Sequence, residues 1–272
     1  MIDFTEEELQ RYSRHILLQE VGAEGQERIR RGRVLVIGVG GLGSPVALYL
    51  AAAGVGTLGI ADGDTVEISN LQRQVIHFTP DIGRSKVDSA EEKLRKINPH
   101  VRVNTCHENL TADNILDIVR EYDFIVDGTD NFPAKYLIND ACVMTGKPFT
   151  QGGILRFEGQ AFTHLPGTAC CRCLFGEPPL AGSVPSCSQA GILGAIAGIL
   201  GSIQAAEALK YLTGTGELLT DRLLTFDART MEFHRIDSSR QSDCPLCGTH
   251  PVIRELADYE QAACLLKPHW NP

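Results

Sequence analysis

The sequence predicts an α/β fold: a mostly parallel sheet continuing into an antiparallel half, with helices on both faces and an N-terminal helical arm. Three observations predict it. Short apolar, β-branched runs at 34–37, 57–61 and 124–127 give way to glycine or aspartate, as buried parallel strands do. Helix-like segments separate them, so strand and helix alternate. Beyond Gly146-Lys147-Pro148 the alternation stops, and strand-like runs at 149–154 and 159–163 form the sheet's other half.

The elements follow in order. Thr5 ahead of Glu6, Glu7 and Glu8 is a helix start, with a hydroxyl cap and acids at the positive end of the dipole. Arg11, Arg14 and His15 continue this arm, and the polar, basic stretch 26–33 delivers the chain to the first strand. Residues 44–53 read as a helix with small residues toward the sheet, and 57–61 as the second strand. A charged amphipathic helix is predicted over 81–97, halted by Asn98-Pro99, then a strand at 101–103 and a helix at 114–120. After a long loop at 166–189 come a buried helix over 190–212 and an alternating segment at 223–236. With no internal repeat or linker, residues 1–248 read as one unit, 1–33 being its arm, followed by a tail at 249–272.

Composition narrows the function. The 272 residues are 43% hydrophobic and 22% charged, enough to bury a sizeable core. A net charge of −9 and a pI near 5.4 argue against nucleic acid as the main partner. The N-terminus has no signal pattern, and the most apolar run, 190–203, is too short for a bilayer. Nine cysteines without an export signal point to the cytoplasm, where thiols serve metals or catalysis.

Gly38, Gly40 and Gly43 fit the G-x-G-x-x-G turn, whose backbone N–H groups meet phosphate at a helix N-terminus, with Gly41 inside it. Asp62 ends the next strand, where a carboxylate accepts from ribose hydroxyls. These features alone suit a Rossmann-like NAD-dependent oxidoreductase equally well. The continuation favours a triphosphate. Asn70, Arg73 and Gln74 crowd past the ribose carboxylate and Lys86 opens the next helix, an arginine fork and a lysine point charge. Asp130, after the strand at 124–127, falls at the carboxyl edge, where an acid beside a triphosphate holds Mg²⁺ through oxygen.

Cys170/Cys173 and Cys244/Cys247 are two C-x-x-C knuckles, the pattern of a structural zinc site, with a dithiol redox pair as the alternative. Cys171 is then spare. Cys187 stands just before a helix, where the dipole favours a thiolate nucleophile, although free cysteines are often inert packing. Cys106, Cys142 and Cys264 have no partner pattern and read as structural.

Taken together, the Arg11/Arg14 arm, the Gly38–Gly43 loop, Asp62-x-Asp64, Ser69-Asn70-Leu71-Gln72-Arg73-Gln74, Lys86, Thr129-Asp130-Asn131, both knuckles and Cys187 resemble the MoeB/ThiF/HesA family. These are bacterial relatives of ubiquitin-activating enzymes, and the resemblance spans roughly residues 5–248. It implies an adenylyltransferase that uses MgATP to activate the C-terminal Gly-Gly carboxylate of a ubiquitin-like sulfur carrier of the MoaD or ThiS type. Pyrophosphate is released, and a thiocarboxylate follows in molybdopterin or thiamin biosynthesis. The resemblance implies ATP contacts from the Gly38–Gly43 loop, Asp62, Asp64, the 69–74 segment, Lys86, Asp130 and Asn131. It implies a homodimer in which Arg14 reaches the neighbouring subunit's ATP, and matches Cys187 to a cysteine that in some members bonds covalently to the carrier. No fused rhodanese-like segment is visible, so a separate sulfur donor is expected. A carboxylate-activating enzyme acting on modified tRNA is the nearer rival, against which the acidic charge and the knuckles count.

Overall fold

The computed structural model describes residues 3–179 and 190–259. Helices α1 (Glu6–Ile16) and α2 (Gly22–Arg31) lead into β1 (Arg33–Ile37), α3 (Gly43–Ala53) and β2 (Thr57–Ala61). Next come α4 (Lys86–Ile97), β3 (Arg102–Cys106), α5 (Ile115–Arg120), β4 (Phe124–Asp127) and α6 (Phe132–Thr145). β5 (Phe149–Leu155), β6 (Glu158–His164), the short α7 (Cys171–Phe175), α8 (Gly194–Thr213), β7 (Arg222–Asp227) and β8 (Glu232–Asp237) complete the described order.

All eight strands form one sheet, β3-β2-β1-β4-β5-β6-β7-β8. Strands β1 to β5 are parallel, and β5 to β8 pair antiparallel. The change falls where the sequence loses its intervening helices, because an antiparallel neighbour needs only a short turn while a parallel one needs a crossover. Strand β1 shows why the central runs are continuously apolar. Val34 and Val36 face the layer of α3, α4 and α8, whereas Leu35 and Ile37 face α5 and α6, and all four are buried. Each such side chain contributes about 1.5–3 kcal/mol on burial.

The order reverses between β1 and β4. From β1 the chain moves outward to β2 and β3, then returns to β4 on β1's other side. That reversal opens a crevice at the carboxyl ends of β1 and β4, where α/β sheets bind ligands. Gly38 and Gly43 keep it tight. Gly38 has φ +85°, and a Cβ at Gly43 would stand 1.8 Å from the Gly38 carbonyl oxygen.

Two helix starts differ from the sequence reading. Helix α4 begins at Lys86, not at 81, because Gly83 is left-handed and residues 83–86 pair with 64–66. Asp81 there is a buried counter-ion. Burial alone would raise its carboxyl, but hydrogen bonds from Lys93 and the Phe78 N–H hold it at about 2. Helix α8 begins at Gly194, not at 190, since left-handed Gly191 and the Arg156–Ile192 bridge interrupt any helix between 190 and 194. Among the described residues no helix is long and apolar enough to cross a membrane. The Thr5 cap is as expected: its hydroxyl accepts from the Glu8 N–H at 3.2 Å, and Glu8 accepts from the Thr5 N–H at 2.9 Å.

Candidate active site

A polar cleft of about 220 Å³ lies at the carboxyl edge. Six sequence-predicted residues line it: Asp64, Asn70, Arg73, Gln74, Lys86 and Asp130. Thr65 and Glu67 complete the lining. Small-molecule sites usually occupy roughly 300–1,000 Å³, so this volume suits the charged part of a nucleotide rather than all of it.

Each wall has a local cause. Lys86 is carried inward because its N–H bonds the Asp64 carbonyl, which ties the first residue of α4 to the segment after β2. The residue is 6% exposed, and its ammonium lies 2.7 Å from Asp64 Oδ2 and 3.8 Å from Asp62 Oδ1. Asp62 accepts from the Val39 and Asp64 N–H groups at 2.8 and 2.9 Å. Burial pushes its carboxyl up, and the Lys86 charge opposes that rise. The cleft therefore holds a cation already caged by two carboxylates, one of them (Asp64) mostly exposed.

The 69–74 segment is a tight 3-10 and turn structure. Asn70 accepts from the Glu67 N–H at 3.2 Å, while the Ser69 hydroxyl reaches Glu67. The Arg73 guanidinium donates to the Ser69 carbonyl at 3.1 Å, and its stem runs so close to Gly41 that a Cβ there would lie 3.5 Å from Cγ. Gln74 lies over Gly40, and among the described residues its buried Oε1 has no hydrogen-bond partner, which leaves an acceptor for a ligand donor. Leu71 is half-buried, and exposed Gln72 abuts the start of α8, where Gly194 leaves room for its carbonyl. Asp130 is exposed, and among the described residues it has no hydrogen-bond or ionic partner. Asn131 caps α6, its side-chain oxygen accepting from the Ala134 N–H at 2.9 Å. Behind the cleft, fully buried Asp127 pairs with Lys135 at 3.1 Å.

Arg14 is elsewhere. Helix α1 packs at the C-terminal ends of α3 and α4, where Tyr12 lies against Gly54 and accepts from Asn98, and Arg11 donates to the Ile97 carbonyl. Those ends mark the amino edge of the parallel strands, opposite the cleft. Cys187 lies outside the described residues.

Cys170, Cys173, Cys244 and Cys247 place all four sulfurs within 4.8 Å of one another. Three pairs stand 3.4, 3.7 and 3.9 Å apart. Sulfurs at about 2.3 Å from a tetrahedral zinc would be about 3.8 Å apart, so the set fits such an ion. The Gln241 N–H donates to Cys173 Sγ at 3.4 Å, the kind of outer bond that steadies a metal-binding thiolate. Within the same knuckle Arg172, buried, forks onto Asp140 of α6 at 2.8 and 3.0 Å and anchors α7.

Sequence reasoning missed Thr65 and Glu67, which bear no motif of their own. It also missed His77, a lone buried histidine of the kind that usually only packs.

Comparison with known proteins adds a second line. The family model described as the ThiF family matches residues 12–246. A sulfur carrier protein adenylyltransferase of Thermus thermophilus is 48% identical over 270 residues, covering 97% of this chain and 99% of that one. The SAMP-activating enzyme E1 of Haloferax volcanii is 48% identical over 259 residues, covering 95% and 96%. The probable adenylyltransferase/sulfurtransferase MoeZ of Mycobacterium tuberculosis is 48% identical over 260 residues, covering 94% of this chain and only 65% of the relative. Among solved structures, Escherichia coli MccB matches with a TM-score of 0.79 at 23% identity, over 95% of this chain and 76% of that one, a likeness of fold.

Proposed function

The chain belongs to the ThiF family, and from that premise we propose that it is an adenylyltransferase that activates the C-terminal Gly-Gly carboxylate of a ubiquitin-like sulfur carrier with ATP. The observation that carries this reading is the convergence of Arg73, Lys86 and Asp130 on one cleft beside the glycine loop. A hydride-transfer site has no need of that cationic grip, which leaves the NAD reading with only the loop and Asp62.

The carrier's carboxylate attacks the α-phosphate, forming a carboxyl–phosphate mixed anhydride and expelling pyrophosphate. Two anions must meet, so cationic side chains have most to do where charge builds up. Lys86 exchanges Asp64 for phosphate oxygen, and Arg73 binds the departing pyrophosphate with its fork. Asp62 orients the ribose. Asp130 would hold Mg²⁺ through oxygen, and the ion would supply further neutralisation of the leaving group. Zinc in the four-cysteine set has a structural role, joining α7 to residues 244–247. Carrier-dependent ATP–pyrophosphate exchange is the assay, and no exchange with any Gly-Gly-tailed carrier contradicts the assignment.

Arg14 enters from a second copy. Its place at the opposite edge rules it out of its own chain's cleft and supports a homodimer with shared sites. Mixing two inactive variants, Arg14→Ala and Asp130→Ala, is expected to restore about a quarter of the normal activity, since half the dimers then carry one intact site. No recovery would place Arg14 outside the chemistry.

Cys187 is assigned to the step after adenylation. Its thiolate attacks the acyl carbon, AMP leaves, and a carrier thioester forms ahead of sulfur delivery by a separate donor. Cys187→Ala is therefore expected to keep full pyrophosphate exchange; its loss would mean that the cysteine acts earlier.

A further inference from the structure

His77 is 3% exposed and belongs to no motif, yet it joins the nucleotide loop to the core. Its Nε2 is 3.0 Å from the Val39 carbonyl oxygen and its Nδ1 is 2.9 Å from Ser89 Oγ. Ser89 Oγ is in turn 3.0 Å from Lys93 Nζ, and Lys93 pairs with buried Asp81.

The chemistry of the groups orients every proton in this chain. An ammonium only donates, so Ser89 accepts from Lys93; the Val39 carbonyl only accepts, so in the neutral ring Nε2 must carry the proton and Nδ1 takes the Ser89 O–H in competition with the Asp81 carboxylate. Nδ1 is then the acceptor, the ring proton sits on Nε2, and it is donated to Val39, whose carbonyl can only accept. Burial pushes the His77 pKa down, so the ring stays neutral and this tautomer persists at pH 7.

Val39 is held on its other side too, its N–H donating to Asp62 at 2.8 Å. The next carbonyl, that of Gly40, accepts from the Ser44 N–H at 2.9 Å and the Ser44 hydroxyl at 2.6 Å. A trans peptide is planar, with its C=O and N–H antiparallel. Drawing the Val39 carbonyl inward therefore turns the Gly40 N–H outward, toward the carboxyl edge. Among the described residues, none accepts from that N–H.

We propose that His77 is a positioning residue for the nucleotide: it fixes the Val39–Gly40 peptide so that the Gly40 N–H is aimed at a phosphate oxygen before ATP arrives. This rests on the reading of the cleft as an ATP site.

The test measures binding of a non-hydrolysable ATP analogue and of adenosine to the full chain. His77→Leu should weaken the analogue about tenfold, the worth of one well-placed hydrogen bond, while changing adenosine less than about twofold. His77→Gln, whose amide nitrogen reaches the same carbonyl, should recover the analogue to within about threefold. Ser89→Ala frees the tautomer and should fall between them, and it carries the test if His77→Leu does not fold. Unchanged analogue binding in His77→Leu or Ser89→Ala, or equal weakening of both ligands, overturns the proposal. Failure of the unaltered protein to bind the analogue overturns instead the site reading beneath it.

Discussion

Asp130→Ala is expected to lower carrier-dependent ATP–pyrophosphate exchange by about 1,000-fold, with the melting temperature unchanged. The two halves of this expectation have separate grounds. Asp130 is exposed and has no partner among the described residues, so its loss strands no buried group. Its carboxylate lines the same cleft as Arg73 and Lys86, where the proposed leaving group gathers charge. Lys86→Ala makes the useful contrast. That ammonium is buried against Asp62 and Asp64, so removing it abolishes exchange and also leaves largely buried Asp62 without its cation. Exchange in Asp130→Ala at more than about a tenth of normal would remove Asp130 from the chemistry.

The second large effect concerns the four cysteines. The protein is expected to bind one zinc per chain and to lose it in Cys244→Ser. Structural zinc contributes about 10 kcal/mol or more in small peptide sites at pH 7, comparable to the whole stability of a typical domain. Here the loss should stay local. Cys170, Cys173, Cys244 and Leu246 form their own small cluster, apart from the two main layers around β1 and β4. Limited proteolysis should therefore cut around 170–176 and 240–250 in Cys244→Ser while the parallel sheet stays protected. Full zinc content in that variant, or equal cutting of both proteins, contradicts the assignment.

How much of this was legible in the sequence depends on what each residue answers to. Strand β2 falls at 57–61 and β4 at 124–127, as read, because a strand buried on both faces leaves an apolar run too short for a helix and closed by aspartate. The start of α4 was not legible, since Asp81 extends the charged pattern while serving a buried pair with Lys93. Helix α7 lies within a stretch read as loop, its residues chosen for sulfur and for Arg172's fork rather than for helical period. Helix α6 is buried on every side over residues 136–142, so it gave no single apolar face to recognise.

The site divides the same way. Arg73, Lys86 and Asp130 stood out because phosphate chemistry limits which side chains can serve it, and they do meet on one cleft. The position of Arg14 at the opposite edge was invisible, because the register between arm and sheet comes from long-range contacts such as Tyr12 with Asn98. His77 was invisible for a related reason: its partners, Val39 and Ser89, lie 38 and 12 positions away.

The central claim is that the bound nucleotide is a reactant attacked at its α-phosphate. Intact mass spectrometry of a Gly-Gly-tailed carrier incubated with this protein and MgATP tests it most directly. The account predicts a carrier heavier by one adenylyl group (AMP less water), together with released pyrophosphate, and no change in a carrier lacking the terminal glycine pair. An unmodified carrier, or conversion of ATP to ADP and phosphate, would contradict it.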